Sequence, residues 1–267
     1  MQILAQFPIS AYTDRKQVEA FTMTNSPLVT ISIPAYNLGT YLQKTLQSIF
    51  EQTYQNFEII LVDDASTDST AGTIREAAQK DDRIRAHYYE KHEGVSKARN
   101  FAIDNAKGDI IVFVDGDDLL ASNYLEVIVD GLKDPTVDMD AVGYAWGWRG
   151  GGRSSATEFQ QVSKQEAFDS INYRGAEIGG YTWNKGFRLS VIRENKIRFD
   201  ETLDLAEDLL FTADYIAASH RILYFPAPLY TKVSRGNSII HSATMAMRSK
   251  EQVVRRHIDE MGRRLTP

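Results

Sequence analysis

The chain has 267 residues, of which 43% are hydrophobic, and its 30 Lys and Arg stand against 36 Asp and Glu for a formal net charge of −6. This composition can bury a core, which excludes disorder as the main state. With no cysteine, disulfides, thiolate metal sites and cysteine nucleophiles are excluded. The longest apolar run, residues 110–114, is far shorter than the ~20 residues of a spanning helix, and we expect a cytoplasmic protein.

The charge is distributed unevenly along the chain. Residues 232–267 hold eight Lys and Arg against three Asp and Glu, a net +5, so that residues 1–231 carry −11. Because nucleic-acid binding needs a basic surface, we expect no nucleic-acid partner for the acidic body. The basic tail has two interpretations: contact with an anionic membrane surface, or an ordinary solvated helix that pairs with the body or with another subunit of a homo-oligomer.

Strands and helices alternate along the first half of the chain from Pro27 onward. Runs of β-branched and apolar residues predict strands at 29–33, 57–62, 84–89 and 109–114. Helical spacing of apolar residues predicts helices that start at Leu38 and that cover 67–80, 95–106 and 122–132. This alternation is typical of an α/β fold with a mostly parallel central sheet and helices on both faces.

Distinctive residues follow each of the four predicted strands. They are Pro34, Ala35, Tyr36 and Asn37, then Asp63 and Asp64, then His92, Glu93 and Gly94, then Asp115, Gly116, Asp117 and Asp118. In an open parallel sheet, ligands bind beyond the carboxyl ends of the strands. We therefore expect all four clusters to meet at one edge of the sheet.

The pattern changes after Asp140, where a further strand is predicted over 140–148. Residues 180–240 mix short strands with one helix at about 206–218. We see no second core in the sequence and interpret this part as a smaller, mixed half of one domain. The predicted organisation is an N-terminal extension over 1–26, a domain over 27–240 and the basic helical tail over 241–267.

Two acidic clusters are candidates for chemistry. Asp115 and Asp117 are two apart on an extended loop, so both can face one hard divalent cation such as Mg²⁺ or Mn²⁺; a solvated turn that caps a helix is the alternative. Glu207 and Asp208 open a predicted helix. Acids there are favoured by the helix dipole, and they can also supply a general base.

Several motifs are absent from the sequence. No GxGxxG follows the first strand, no GxxxxGK[ST] is present, and the five His lack HExxH spacing. A dinucleotide site is therefore disfavoured, and a P-loop enzyme and a zinc peptidase are excluded by motif.

Five segments occur in the order of a known family. They are PAYN, VDDASTDST, GVSKARN, VDGDD and AEDLLF. In this order the chain resembles glycosyltransferase family 2, inverting enzymes with the nucleotide-binding GT-A fold, over about residues 27–240. Its WNK and PLYTKVSRGNSI segments also resemble bacterial members that build surface polysaccharide or glycoconjugates.

The resemblance implies a nucleotide site and a metal site. Pro34, Ala35, Tyr36 and Asn37 would line the nucleotide pocket, and Asp64 would accept the N3–H of uracil in a UDP-sugar donor. Arg99 would lie near the base or the diphosphate. Asp115 and Asp117 would form the DxD motif that holds Mn²⁺ or Mg²⁺, with Asp117 the direct ligand and Asp115 also near the ribose.

The resemblance also implies a site for transfer. Asp208 would be the catalytic base, and Trp183, Lys185 and Glu207 would lie near the donor sugar or the acceptor. The acceptor would be a hydroxyl group of a glycan, of a lipid-linked acceptor or of a protein-linked acceptor. The QxxRW motif of processive synthases is absent, which favours transfer of a single sugar. Because Asp208 lies in a first helical turn, we expect the dipole to lower its pKa.

Two other functions fit part of these patterns. In a haloacid-dehalogenase-like phosphatase, Asp115 would be the nucleophile, although Leu119 stands where such enzymes carry Thr or Val. A non-catalytic protein that binds sugar nucleotides would need the same pocket without transfer.

Overall fold

The computed structural model describes residues 26–147, 158–173, 175–233 and 243–264. Within these ranges the strands are β1 Val29–Ala35, β2 Phe57–Asp63, β3 Ile84–Tyr88, β4 Ile110–Phe113, β5 Leu119–Leu120, β6 Met139–Trp146, β7 Gln160–Val162, β8 Lys185–Arg188 and β9 Ile222–Lys232. The helices are α1 Tyr41–Phe50, α2 Thr70–Lys80, α3 Val95–Asn105, α4 Tyr124–Gly131, α5 Lys164–Ile171, α6 Leu189–Glu194, α7 Glu207–Ala218 and α8 Met245–Arg263.

The strands form one mixed sheet in the order β3-β2-β1-β4-β8-β6-β9-β5, and β7 pairs with β9. The four strands predicted from the first half pair in parallel, as do β6 and β9. The predicted α/β fold with a mostly parallel central sheet is confirmed. Strand β8 lies antiparallel between β4 and β6 and thereby joins the smaller half of the chain to the half that contains β1 to β4.

The central strands are buried because apolar side chains cover both faces of the sheet. In β2, Ile60 and Val62 belong to one core cluster while Ile59 and Leu61 belong to the other. Full burial of such a side chain contributes about 1.5–3 kcal/mol. This two-sided burial explains why the strands lack the polar alternation of a half-exposed sheet.

Two helices begin three residues later than their sequence patterns predict. The residues before α1 and α2 form a bridge between the loops that follow β1 and β2. Leu38 N donates to Thr70 Oγ1 at 2.8 Å, and Gly39 N donates to Asp68 Oδ2 at 2.9 Å. These bonds satisfy backbone amides outside the helices and fix the two loops against each other.

Helix α8 accounts for most of the predicted basic tail. Its side chains Val254 and Ile258 are buried in the core cluster that also contains parts of α5 and α7. Residues 1–25 of the extension expected over 1–26, and the predicted boundary at 240, lie outside the described residues. No helix within the described ranges is long and apolar enough to cross a membrane.

Candidate active site

The expected meeting of the strand ends is confirmed by hydrogen bonds between their loops. Asp64 N donates to Ala35 O at 2.8 Å, and Thr67 N donates to Asn37 Oδ1 at 2.9 Å. Glu93 N donates to Asp64 Oδ1 at 2.7 Å. The ends of β1, β2 and β3 therefore form one continuous edge.

Residues 115–118, here called the DGDD loop, follow β4 at this edge. One carboxylate oxygen from each of Asp115, Asp117 and Asp118 lies within 4.8 Å of the others. A Cβ at Gly116 would lie 2.4 Å from Leu38 Cδ1, so any larger residue there would displace the Leu38 side chain. Three clustered carboxylate oxygens are the donor set that Mg²⁺ and Mn²⁺ prefer, so these residues fit the expected cation.

The end of β9 is bonded to the DGDD loop. Lys232 Nζ lies 2.6 Å from Asp115 Oδ2 and 2.9 Å from Asp118 Oδ2. The hydroxyl of Tyr230 donates to Asp118 Oδ2 at 2.7 Å. Burial raises the pKa of Asp118 to about 7. Burial also opposes ionisation of Asp115, but Lys232 and Arg99 outweigh it and hold the pKa of Asp115 below its usual range.

Arg99 joins the DGDD loop to the start of α7. Its Nη2 donates to Asp115 Oδ1 at 3.0 Å and its Nη1 donates to Glu207 Oε1 at 3.0 Å. Its side chain is only 5% exposed. The guanidinium is buried and bonded to two carboxylates, and its expected place near the base or the diphosphate remains a prediction.

Glu207 and Asp208 have different surroundings although they are adjacent. Ala206, just before them, has a left-handed φ of +70°, a strained conformation for a residue with a Cβ. Asp208 Oδ1 accepts from Leu209 N at 2.7 Å. Burial, followed by the charge of Glu207, raises the pKa of Asp208 to about 7. The expectation of a lowered pKa was wrong, because desolvation outweighs the helix dipole here.

Asp64 is positioned by the turn before α3. Beside the bond from Glu93, its Oδ2 accepts from Gly94 N at 2.9 Å and lies 2.9 Å from His92 Nδ1. Gly94 has a φ of +95°, a conformation that glycine adopts without steric cost. The carboxylate is therefore held rigidly at the strand edge, where the predicted uracil contact remains a prediction.

An aromatic pair lies beside Asp64. The rings of Tyr36 and His92 are 4.3 Å apart, and Tyr36 is 43% exposed. Asn37, with a φ of +48°, holds the loop after Pro34 and Ala35 through its bond to Thr67. The predicted nucleotide-lining segment thus presents an exposed aromatic face at the edge of the sheet.

Trp183 and Lys185 are buried, whereas the sequence predicts that they lie near substrate. Trp183 is stacked between Tyr181 and Tyr230, at 4.8 and 4.7 Å between ring centroids. Lys185 Nζ lies 2.6–2.9 Å from four acceptors to which its N–H groups can donate, the carbonyl oxygens of Ile178, Gly179 and Tyr181 and Asn184 Oδ1. Both side chains support the wall of the site, and their contact with a sugar remains a prediction.

Sequence analysis assigned no role to Lys232, Tyr230 or His92. Lys232 and Tyr230 lie in the PLYTKVSRGNSI segment that carries part of the family resemblance, which is the only signal for them. Pairing of β5 with β9 brings this segment to the DGDD loop, and no local pattern predicts that contact.

Comparison with known proteins shows the family. The model of glycosyl transferase family 2 matches residues 30–205. The chain belongs to this family. The match favours a glycosyltransferase over the phosphatase that the DGDD loop alone would permit. The matched residues include the DGDD loop and end just before Glu207.

Individual relatives agree with the family. The putative glycosyltransferase EpsH of Bacillus subtilis is 30% identical over 77% of this chain and 60% of its own length. The structure of S. aureus TarS 1–349 in complex with UDP is 25% identical with a TM-score of 0.66, over 77% of this chain and 60% of that one. The chain thus spans about 60% of the length of both.

A third relative shows the fold alone. The mannosyltransferase PcManGT from Pyrobaculum calidifontis, solved with GDP-Man and Mn²⁺, is 23% identical with a TM-score of 0.64. The structural match covers 87% of this chain and 64% of the mannosyltransferase chain.

Proposed function

We propose that this chain is a glycosyltransferase that moves one sugar from a UDP-sugar to an acceptor hydroxyl with inversion at the anomeric carbon. The observation that carries the proposal is the position of Arg99. It joins Asp115, in the DGDD loop, to Glu207, the neighbour of Asp208, with two bonds of 3.0 Å. One buried guanidinium thus connects a candidate donor site to a candidate base.

The donor end fits a nucleoside diphosphate. The exposed ring of Tyr36 offers a stacking surface for a base, and Asp64 offers carboxylate lone pairs beside it. Both Asp64 oxygens already accept bonds from the 92–94 turn, which holds the carboxylate in one orientation. Uridine is the base we propose, because a carboxylate accepts the N3–H of uracil and because TarS at 25% identity is solved with UDP.

Asp115 and Asp117 are the residues we propose to hold Mn²⁺ or Mg²⁺ together with the diphosphate. A divalent cation there supplies positive charge against the negative charge that develops on the leaving diphosphate. The chain's own residues fix this arrangement. Arg99 and Lys232 hold Asp115 in its ionised form, and Gly116 lets the loop pack closely against Leu38.

Asp208 is the proposed general base. The acceptor hydroxyl attacks the anomeric carbon from the face opposite the diphosphate, and its proton passes to an Asp208 oxygen as the bond forms. One displacement inverts the anomeric centre, and no covalent intermediate is required. A carboxyl whose pKa is about 7 is matched to proton transfer near neutral pH, because it is both available as carboxylate and basic enough to accept the proton.

The acceptor is proposed to be a hydroxyl of a glycan, which is free, lipid-linked or protein-linked. A screen of the purified chain against UDP-sugars and GDP-sugars with Mn²⁺ tests the donor. We expect thermal stabilisation by UDP-sugars in preference to GDP-sugars, and UDP release when an acceptor glycan is added. Binding without release or transfer to any acceptor would favour a non-catalytic binder instead.

A further inference from the structure

The ammonium group of Lys232 lies among the carboxylates of the DGDD loop. It is 2.6 Å from Asp115 Oδ2 and 2.9 Å from Asp118 Oδ2. We infer that Lys232 is a built-in counter-ion of this loop, which a divalent cation displaces and which then binds the diphosphate of the donor. The inference rests on the proposed function and gives Lys232 a role in it, first as counter-ion and then as a ligand of the diphosphate.

Lys232 and a divalent cation compete for the carboxylate of Asp115, which is one of the two proposed metal ligands. Asp115 and Asp118 supply two of the three carboxylate oxygens that cluster within 4.8 Å. Positive charges a few ångströms apart repel strongly in a partly desolvated site. A cation that enters the cluster therefore cannot leave Lys232 where it is, and binding of the cation alone includes the loss of two charge-assisted bonds.

Lys232 is also able to leave, in contrast to Arg99. Its side chain is 20% exposed, whereas that of Arg99 is 5% exposed and bonded to Glu207 as well. Lys232 is the last residue of β9, and its flexible stem can redirect the ammonium without moving the strand.

The loop stays anchored when Lys232 departs. Asp118 still accepts the hydroxyl of Tyr230 at 2.7 Å and the backbone amide of Val233 at 2.8 Å. These two bonds are independent of the ammonium. The movement is therefore confined to one side chain, and the carboxylates keep their positions for the cation.

The two ligands should then assist each other through Lys232. A diphosphate offers the displaced ammonium new anionic oxygens, so the cation binds more readily once the nucleotide is present. By linkage, the cation strengthens nucleotide binding by the same factor. Direct contact between metal and phosphate also couples the binding of the cation to that of the nucleotide. Only the part of this coupling that is lost when Lys232 is replaced tests the inference.

The test measures Mn²⁺ binding by titration of the free-ion EPR signal, with and without UDP, in the full chain. We compare Lys232→Gln, which removes the charge but retains a donor for Asp118, with Lys232→Met. Lys80→Met is the matched control, because Lys80 pairs with Glu76 on an exposed surface of α2. Thermal unfolding of each variant shows whether it is folded.

Without UDP, we expect Lys232→Gln to bind Mn²⁺ about tenfold more tightly than the unaltered chain. Its gain in Mn²⁺ affinity on adding UDP should be smaller by about fivefold or more, and Lys80→Met should match the unaltered chain in both. Equal or weaker Mn²⁺ binding by folded Lys232→Gln would overturn the inference. Failure of the unaltered chain to bind UDP with Mn²⁺ would instead overturn the proposed function.

Discussion

Glu207 and Asp208 are adjacent, yet the structure gives them different partners. Glu207 accepts a bond from the buried guanidinium of Arg99 at 3.0 Å, whereas Asp208 accepts the amide of Leu209 at 2.7 Å. Consecutive side chains on a helix diverge by about 100°, so one can support the site from below while the other faces the acceptor. This division of roles leads to the first prediction.

Asp208→Asn should lower the transfer rate by about 10²–10⁴-fold, because the amide cannot accept the proton of the acceptor hydroxyl. Affinity for UDP should remain close to that of the unaltered chain. Glu207→Gln is the matched variant, and we expect it mainly to lower stability, by roughly 1–3 kcal/mol, because it weakens the bond to Arg99. Rate and thermal unfolding are measured for both. A Glu207→Gln enzyme without activity beside an active Asp208→Asn enzyme would reverse the assignment.

The pH dependence of transfer should follow the ionisation of Asp208. Its pKa is raised to about 7, and only the carboxylate accepts a proton, so the rate should fall as pH decreases through about 7. Well below that pH the decrease should approach about tenfold per unit. A rate profile at saturating donor between pH 5.5 and 8.5, with thermal unfolding followed over the same range, checks this. A flat profile would show that another group limits the rate.

Asp117→Asn should abolish the Mn²⁺-dependent part of UDP binding, because a charged ligand of the cation is lost. Asp115→Asn should do the same and in addition lower the unfolding temperature more, since Arg99 and Lys232 both lose a charged partner. Calorimetric titration of UDP with Mn²⁺ and with EDTA measures the first effect. UDP binding that is equal in EDTA, in Mn²⁺ and in Asp117→Asn would exclude a metal role for the DGDD loop.

Lys185→Met should destabilise the fold by roughly 1–3 kcal/mol, because buried carbonyl oxygens lose the amino group that donates to them. These carbonyls belong to Ile178, Gly179 and Tyr181, and they hold the segment that positions Trp183. Chemical denaturation measures the loss. A stable Lys185→Met protein with specifically weakened acceptor binding would instead support the substrate contact predicted from sequence.

The basic residues of α8 offer a test of membrane contact. Val254 and Ile258 on one side of the helix are buried in the core. Removal of α8 would therefore expose apolar core surface, which could itself bind vesicles. Neutralising Arg256, Arg263 and Arg264, which are exposed, avoids this. If α8 contacts anionic lipid, co-sedimentation with anionic vesicles should be lost in the triple variant and retained in Lys80→Met. Equal sedimentation of both would leave α8 as a solvated helix.

Much of the half that contains β1 to β4 could be predicted from sequence because its signals are local. The strand ending at Asp63 and the strand leading into Asp115 are short apolar runs with abrupt polar stops, and parallel pairing brings their ends together. The helix starts were less accurate. Leu38 and Thr67 lie in loops because their backbone amides bond across to Thr70 Oγ1 and Asn37 Oδ1, contacts that helical periodicity does not report.

The sequence by itself determined the α/β fold, the edge at which the loops meet and the acidic residues placed there, since the strand and helix signals are local and parallel pairing of such strands brings their carboxyl ends to one edge. Only the tertiary structure decided the charge state and partners of those residues. Burial raises the pKa of Asp208 although its helix position favours the opposite, and Lys232 reaches Asp115 from 117 residues away. Desolvation and long-range ion pairing depend on what the fold packs around a group, so residue type and spacing do not reveal them.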